Sequence, residues 1–149
     1  MIRVHVFVEG QTVETFVREL LYDPLMHRGV FLNPILLRTS AGGKGGVVSY
    51  GKIRSQVRRQ CLSDASAKVT TMIDLFRLPQ DFPERQACAG AQLYPRVDCL
   101  EQAFARDIGC ANLLPYLSVH EFEGLLFSDA TQFANWFDEP GPLQQLNAV

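Results

Sequence analysis

Apolar and polar positions alternate at the start of the chain. Ile2, Val4, Val6 and Val8 are separated by Arg3, His5 and Phe7. A period of two predicts a β-strand, and Phe7 on the second face predicts packing on both sides. The period then changes. Val13, Phe16, Val17, Leu20 and Leu21 recur at helical spacing, so a helix with one core-facing stripe follows, with Thr12 as its N-cap. Asp23-Pro24 and Arg28-Gly29 punctuate the turn after it. Residues 30–39 read as a second strand, in which Pro34 signals an edge position or a bulge. Residues 50–62 read as a helix with Ile53, Val57 and Cys61 inward and Lys52, Arg54, Arg58 and Arg59 outward or to the flanks. Residues 68–75 (KVTTMIDL) are β-branched enough for a third strand. A long polar loop spans 76–94. A helix over 96–108 follows, carrying Val97, Leu100, Phe104 and Ile108 on one face. Residues 112–119 form a fourth strand and 120–127 turn helical. Ser128 or Asp129 caps a last helix with Phe133, Trp136 and Phe137. Strands alternating with helices predict an α/β fold: a mostly parallel sheet of at least four strands, flanked by helices and joined by right-handed crossovers.

Composition narrows the classes. At 149 residues, with 47% hydrophobic and 20% charged positions, the chain has the size and balance of one globular domain. A net charge of −2 argues against a strongly basic nucleic-acid wrapper, while leaving room for local basic faces. Cys61, Cys88, Cys99 and Cys110 form no CxxC pair and no metal-binding spacing, so they read as reduced, small core or surface residues. Met1 leads straight into a strand, leaving no room for a signal peptide, and no apolar run spans a bilayer. The expectation is a cytoplasmic protein with no membrane partner.

Four places carry candidate chemistry. Glu9 stands at the carboxyl end of the first strand, where open α/β sheets place their sites. Gly10 after it either turns the backbone with φ > 0 or lets a ligand approach. Glu14, in the first helical turn, complements the helix dipole. Asp74 ends the third strand, on the same sheet edge as Glu9 if the strands are parallel. Two carboxylates there suit Mg²⁺, and a cap on the next turn accounts for Asp74 equally well. HEFEG, residues 120–124, brings Glu121 and Glu123. They are too close in sequence to share a helical face, and position 124 is glycine, so the HExxH zinc motif is absent. The loop SAGGKGG, residues 40–46, fails the P-loop pattern because Gly45 follows Lys44. Its amides and Lys44, with Arg54 and Arg58 one turn apart on the next helix, suit phosphate binding; a flexible linker before a solvated helix face is the plain alternative.

These residues carry a resemblance. VEGQTVETF resembles the first motif of Toprim domains: strand, glutamate, glycine, helix. MIDLF resembles the second, in which aspartates follow a strand. Together with GGKGG, TTMIDLFRLPQDFP and LPYLSVHEFEGLLFSD, they resemble the bacterial family called domain of unknown function 4276, a Toprim-like group. The likeness runs from the first strand to about Asp129. It implies that Glu9 is a general acid/base or metal glutamate, that Asp74 is a metal aspartate, and that Glu121 and Glu123 lie in an acidic segment. It also implies Mg²⁺ or Mn²⁺ as cofactor, DNA or RNA as partner, and a neighbouring ABC/SMC-like ATPase. Two departures stand out. Toprim enzymes usually carry Asp-x-Asp, and here the second position is Phe76, which Asp81 cannot simply replace. Members of the family also continue into a basic, proline-containing segment, whereas this chain stops at Val149, as either a single domain over 1–149 truncated at its C-terminus or a short member would. The reading is a metal-dependent nuclease or nuclease-like subunit, with Glu9 and Asp74 catalytic. Glu9, Asp74, Glu121 and Glu123 are its metal candidates, and Gly10, Lys44, Arg54 and Arg58 its phosphate candidates. The alternative from another class is an inactive regulatory module docking on the ATPase.

Overall fold

The computed structural model describes residues 1–38 and 49–120. All but the last of them belong to one compact unit, Met1–Val119. Lys44, Glu121, Glu123 and the expected last helix lie outside the described residues.

The first strand, β1, spans Ile2–Val8. It lies between β2, Val30–Leu36, and β3, Lys68–Asp74. Both pairings are parallel, with Val8 opposite Leu36 on one side and Met72 on the other. β3 also pairs in parallel with β4, Leu113–Leu114, and with β5, Leu117–Ser118. The result is a parallel five-stranded sheet with helices on both faces. Pro34 sits in β2 at an edge of the described sheet, where its missing N–H costs no ladder bond.

The alternation in β1 divides the core as expected. Val6 and Val8 pack with Val17 on one face, against Val13, Phe16 and Leu21 of the first helix. Phe7 faces the other way, into the larger cluster under α3, Tyr50–Ser63, and α4, Leu93–Ile108. Tyr50, Ile53, Val57 and Cys61 are the buried stripe of α3; Val97, Leu100, Ala103, Phe104 and Ile108 are that of α4. α4 starts three residues earlier than its apolar stripe suggests, because Pro95 falls in the first turn, where no intrahelical N–H bond is needed. It ends at Gly109, whose φ of +66° is the left-handed cap that glycine supplies.

Several expectations change. The first helix begins as α1, Gln11–Phe16, with Gly10 and not Thr12 at the N-cap. It then passes through a π-helical turn, Val17–Leu21, and continues as α2, Tyr22–Met26. Asp23-Pro24 therefore lies inside the helix and does not end it. Pro24 has no N–H to offer and crowds the preceding carbonyls, and the wide turn just before it relieves that conflict. The turn also shifts the helical phase, so Leu20 is exposed. The fourth strand is split in two. Pro115 interrupts it, and the buried Thr71 hydroxyl fills the gap: it donates to the Tyr116 carbonyl at 2.8 Å and accepts the Tyr116 N–H at 3.1 Å. The loop after β3 is less polar than its composition suggests. Leu78, Phe82 and Cys88 are buried, and Phe82 meets Tyr50 edge-on at 5.2 Å. Finally, Cys88 and Cys99 form a disulfide. The expectation of four reduced cysteines is corrected for that pair; Cys61 and Cys110 are free thiols. Among the described residues no helix is long and apolar enough to cross a membrane.

Candidate functional site

Parallel strands end on one edge, and here that edge gathers carboxylates. Glu9 directly follows Val8, and Asp74 is the last residue of the neighbouring β3. The Asp74 backbone N–H is near enough to the Glu9 carboxyl to favour its charged form. The Glu9 pKa is pushed up to about 7, first by burial and then by the negative charge of Asp74; Arg77 and the Asp74 backbone N–H oppose the shift. The Asp74 side chain is largely buried. Its Oδ1 accepts the Phe76 N–H at 2.9 Å, capping a 3₁₀ turn over Leu75–Arg77, and its Oδ2 lies 3.7 Å from Arg77 Nε. The capping role of Asp74 is thus realised. It also leaves one carboxylate oxygen on the side of Arg77.

Arg77 is a site residue the sequence reading missed. Its spacing of three from Asp74 is the available signal. Ser118 is another. It is buried and stands opposite Asp74 in the β3–β5 register. Glu101 of α4 fixes this end of β5, its Oε1 accepting the Leu117 N–H at 2.8 Å. The chain therefore leaves β5 at the same edge, and Glu121 and Glu123 follow three and five residues after Ser118.

Gly10 has φ −145°, ordinary extended backbone, so a left-handed turn is not what the glycine serves. Among the described residues nothing lies within 4 Å of where a Cβ would stand, so their packing does not require it either. The described residues leave the position open to an incoming group. Phe76, in place of a second acid, is 66% exposed.

The basic candidates on α3 are placed elsewhere. Arg54 Nε pairs with Asp107 Oδ2 at 2.7 Å, and Tyr50 donates its hydroxyl to the same carboxylate. Arg58 donates to the Ile108 carbonyl. Both guanidinium groups thus bind the C-terminal end of α4. That end leads into β4, which pairs with β3 at Val69, near the start of β3 and away from Asp74. The N-terminus of α3 is also occupied: Tyr50 N–H donates to Asp81 Oδ1 at 3.1 Å. Asp81 therefore caps α3 and does not stand in for the missing second aspartate.

An α/β sheet with converging carboxylates at the ends of adjacent parallel strands defines a class of strand-end acidic sites. The family follows from comparison: the model described as Domain of unknown function (DUF4276) matches residues 8–149, and the chain belongs to that family. No curated protein and no solved structure matches the chain.

The donor set fits a hard divalent cation. Both groups are carboxylates, and a cation bound between them would relieve their mutual repulsion and partial burial.

Proposed function

We propose that the chain is a Toprim-like, divalent-cation-dependent nuclease or nuclease-like subunit of a bacterial defence system, acting on the phosphodiesters of DNA or RNA. The observation that carries this reading is the placement of Glu9 and Asp74 at the carboxyl ends of adjacent parallel strands, where burial and the charge of Asp74 push the Glu9 pKa up. Shifts of this kind, from desolvation and a like charge together, cluster at functional sites. Glu9 and Asp74, with one of Glu121 and Glu123, would hold Mg²⁺ or Mn²⁺. Such an ion supplies charge neutralisation at a phosphate oxygen and a more acidic water. The protein's own part is positional and protonic. The Phe76 N–H and Arg77 hold Asp74 in place. Glu9 keeps its proton near neutrality before an ion binds and would give it up either to ligate the ion or to the leaving oxygen. The open space at Gly10 admits the phosphate, and Lys44 is the remaining loop candidate for its charge.

A second reading has its own observation. Phe76 presents an exposed aromatic ring beside Asp74 where an acid would complete a metal pair. An apolar ring there suits docking, and the protein would then be an inactive regulatory module on an ABC/SMC-like ATPase.

Cleavage of single-stranded and duplex DNA and RNA with Mn²⁺ tests the choice. The nuclease reading expects metal-dependent cleavage, reduced about 10²–10⁴-fold in Glu9→Gln and similarly impaired in Asp74→Asn. No cleavage of any of these substrates by a folded wild-type chain favours the docking module.

A further inference from the structure

The disulfide sits beside a carboxylate. One oxygen of Glu84 and the sulfurs of Cys88 and Cys99 all lie within 4.8 Å of one another. Glu84 precedes Cys88 by one turn, and the Cys88 N–H donates to the Glu84 carbonyl at 2.9 Å. Cys99 comes from α4. Glu84 has φ +53°, the left-handed region, and is the non-glycine residue found there among the described residues. A side chain held in that region at a cost is a reason to look for a role. Arg106 of α4 binds Glu84 Oε1 at 3.0 Å and leaves the other oxygen available.

We propose that Glu84, Cys88 and Cys99 form a redox-gated site for a thiophilic divalent cation of the zinc type. The disulfide closes the site, since neither sulfur is a thiolate. A dithiol reductant opens it: two electrons and two protons pass to the protein, the S–S bond breaks to two thiols, and the reductant becomes the disulfide. On binding, both thiols release their protons to solvent and ligate as thiolates. Glu84 supplies a third ligand, and the fourth tetrahedral position is left to water. The Cα atoms of the two cysteines are 5.9 Å apart, compatible with two sulfurs each about 2.3 Å from one ion. Charge also closes: three anionic ligands meet a dication and the guanidinium of Arg106. Either cross-link, disulfide or ion, holds the loop after β3 against α4. That loop delivers Phe82 to Tyr50 and Asp81 to the N-terminus of α3. The site uses none of the strand-end carboxylates, so it stands apart from the proposed nuclease centre.

The test is a Cd²⁺ titration of the full chain, before and after reduction with a phosphine, followed by thiolate-to-cadmium absorption and near-ultraviolet circular dichroism. The reduced protein should bind Cd²⁺ with the thiolate band, and the oxidised protein should not. Cys99→Ser should abolish the band, and Glu84→Gln should weaken affinity by at least roughly 10-fold, since losing even a group that only supports a ligand costs about 10–100-fold. All these measurements are made in a Cys61→Ala, Cys110→Ala background, because that neighbouring pair of free thiols would otherwise bind Cd²⁺ in either redox state. Unchanged affinity in a folded Glu84→Gln chain overturns the site. So does equal binding by the oxidised protein, or a fold lost on reduction that Cd²⁺ does not restore.

Discussion

Asp74 acts on Glu9 in two opposed ways. Its backbone N–H favours the charged Glu9 carboxylate, while burial, the largest effect, and then the Asp74 side-chain charge disfavour it. Repulsion and burial win, which places the Glu9 pKa near 7. A cation bound between two acids held in this way would remove that repulsion.

The pH dependence of stability has a definite sign. Glu9 titrates near 4.5 in the unfolded chain and near 7 in the folded one. Below pH 4.5 both states hold the proton. Between 4.5 and 7 the unfolded chain releases it and the folded chain keeps it, so stability falls as pH rises. Glu9→Gln has no such proton. Thermal unfolding should show the variant more stable than wild type at pH 8, with the gap closing towards pH 4.5. Mg²⁺ at pH 8 should raise the wild-type midpoint and leave the variant unmoved. A gap independent of pH would contradict the burial of Glu9 beside Asp74.

Thr71 offers a test of the sheet. Its hydroxyl satisfies both backbone groups of Tyr116 where Pro115 breaks the strand. Thr71→Val keeps the shape and removes both bonds. The expected loss is about 1–3 kcal/mol, the usual cost of leaving a buried polar group unpaired, read from urea unfolding midpoints. A loss below about 0.5 kcal/mol, the range of neutral surface changes, would mean that water replaces the hydroxyl.

Arg54 is expected to act on the fold and not on phosphate. Its ion pair with Asp107 is half exposed, and such pairs contribute about 0–1 kcal/mol. Arg54→Ala should therefore lower stability slightly and leave divalent-ion binding unchanged. Polynucleotide affinity, measured by anisotropy at several salt concentrations, should keep its slope. A slope shallower by about 0.9 on duplex, one phosphate contact, would show that Arg54 leaves Asp107 for nucleic acid.

Much of this architecture was legible in the periodicities. The stripes of α3 and α4 and the alternation in β1 are local patterns, and they named the core residues directly. What escaped was non-local or compensated. The continuation of the first helix past Pro24 depends on a π-helical turn that no propensity signals. The split of the last strand was marked by Pro115, but its repair comes from Thr71, 45 positions away from Tyr116. The carboxylate pair could be placed because parallel strands share an edge. The partners of Arg54 and Arg58 could not, because Asp107 and Ile108 lie 53 and 50 positions along the chain. The Cys88–Cys99 pairing was hidden for the same reason: an interval of 11 residues fixes no distance in space.

The central claim is that Glu9 and Asp74 hold one divalent cation, and Mn²⁺-soaked crystals measure it directly. An anomalous difference peak should stand about 2.1–2.3 Å from carboxylate oxygens of both residues, within the usual range for oxygen ligands of hard cations, and should vanish in Asp74→Asn. Density that places Mn²⁺ only at other sites, with Glu9 and Asp74 unchanged beside each other, would contradict it.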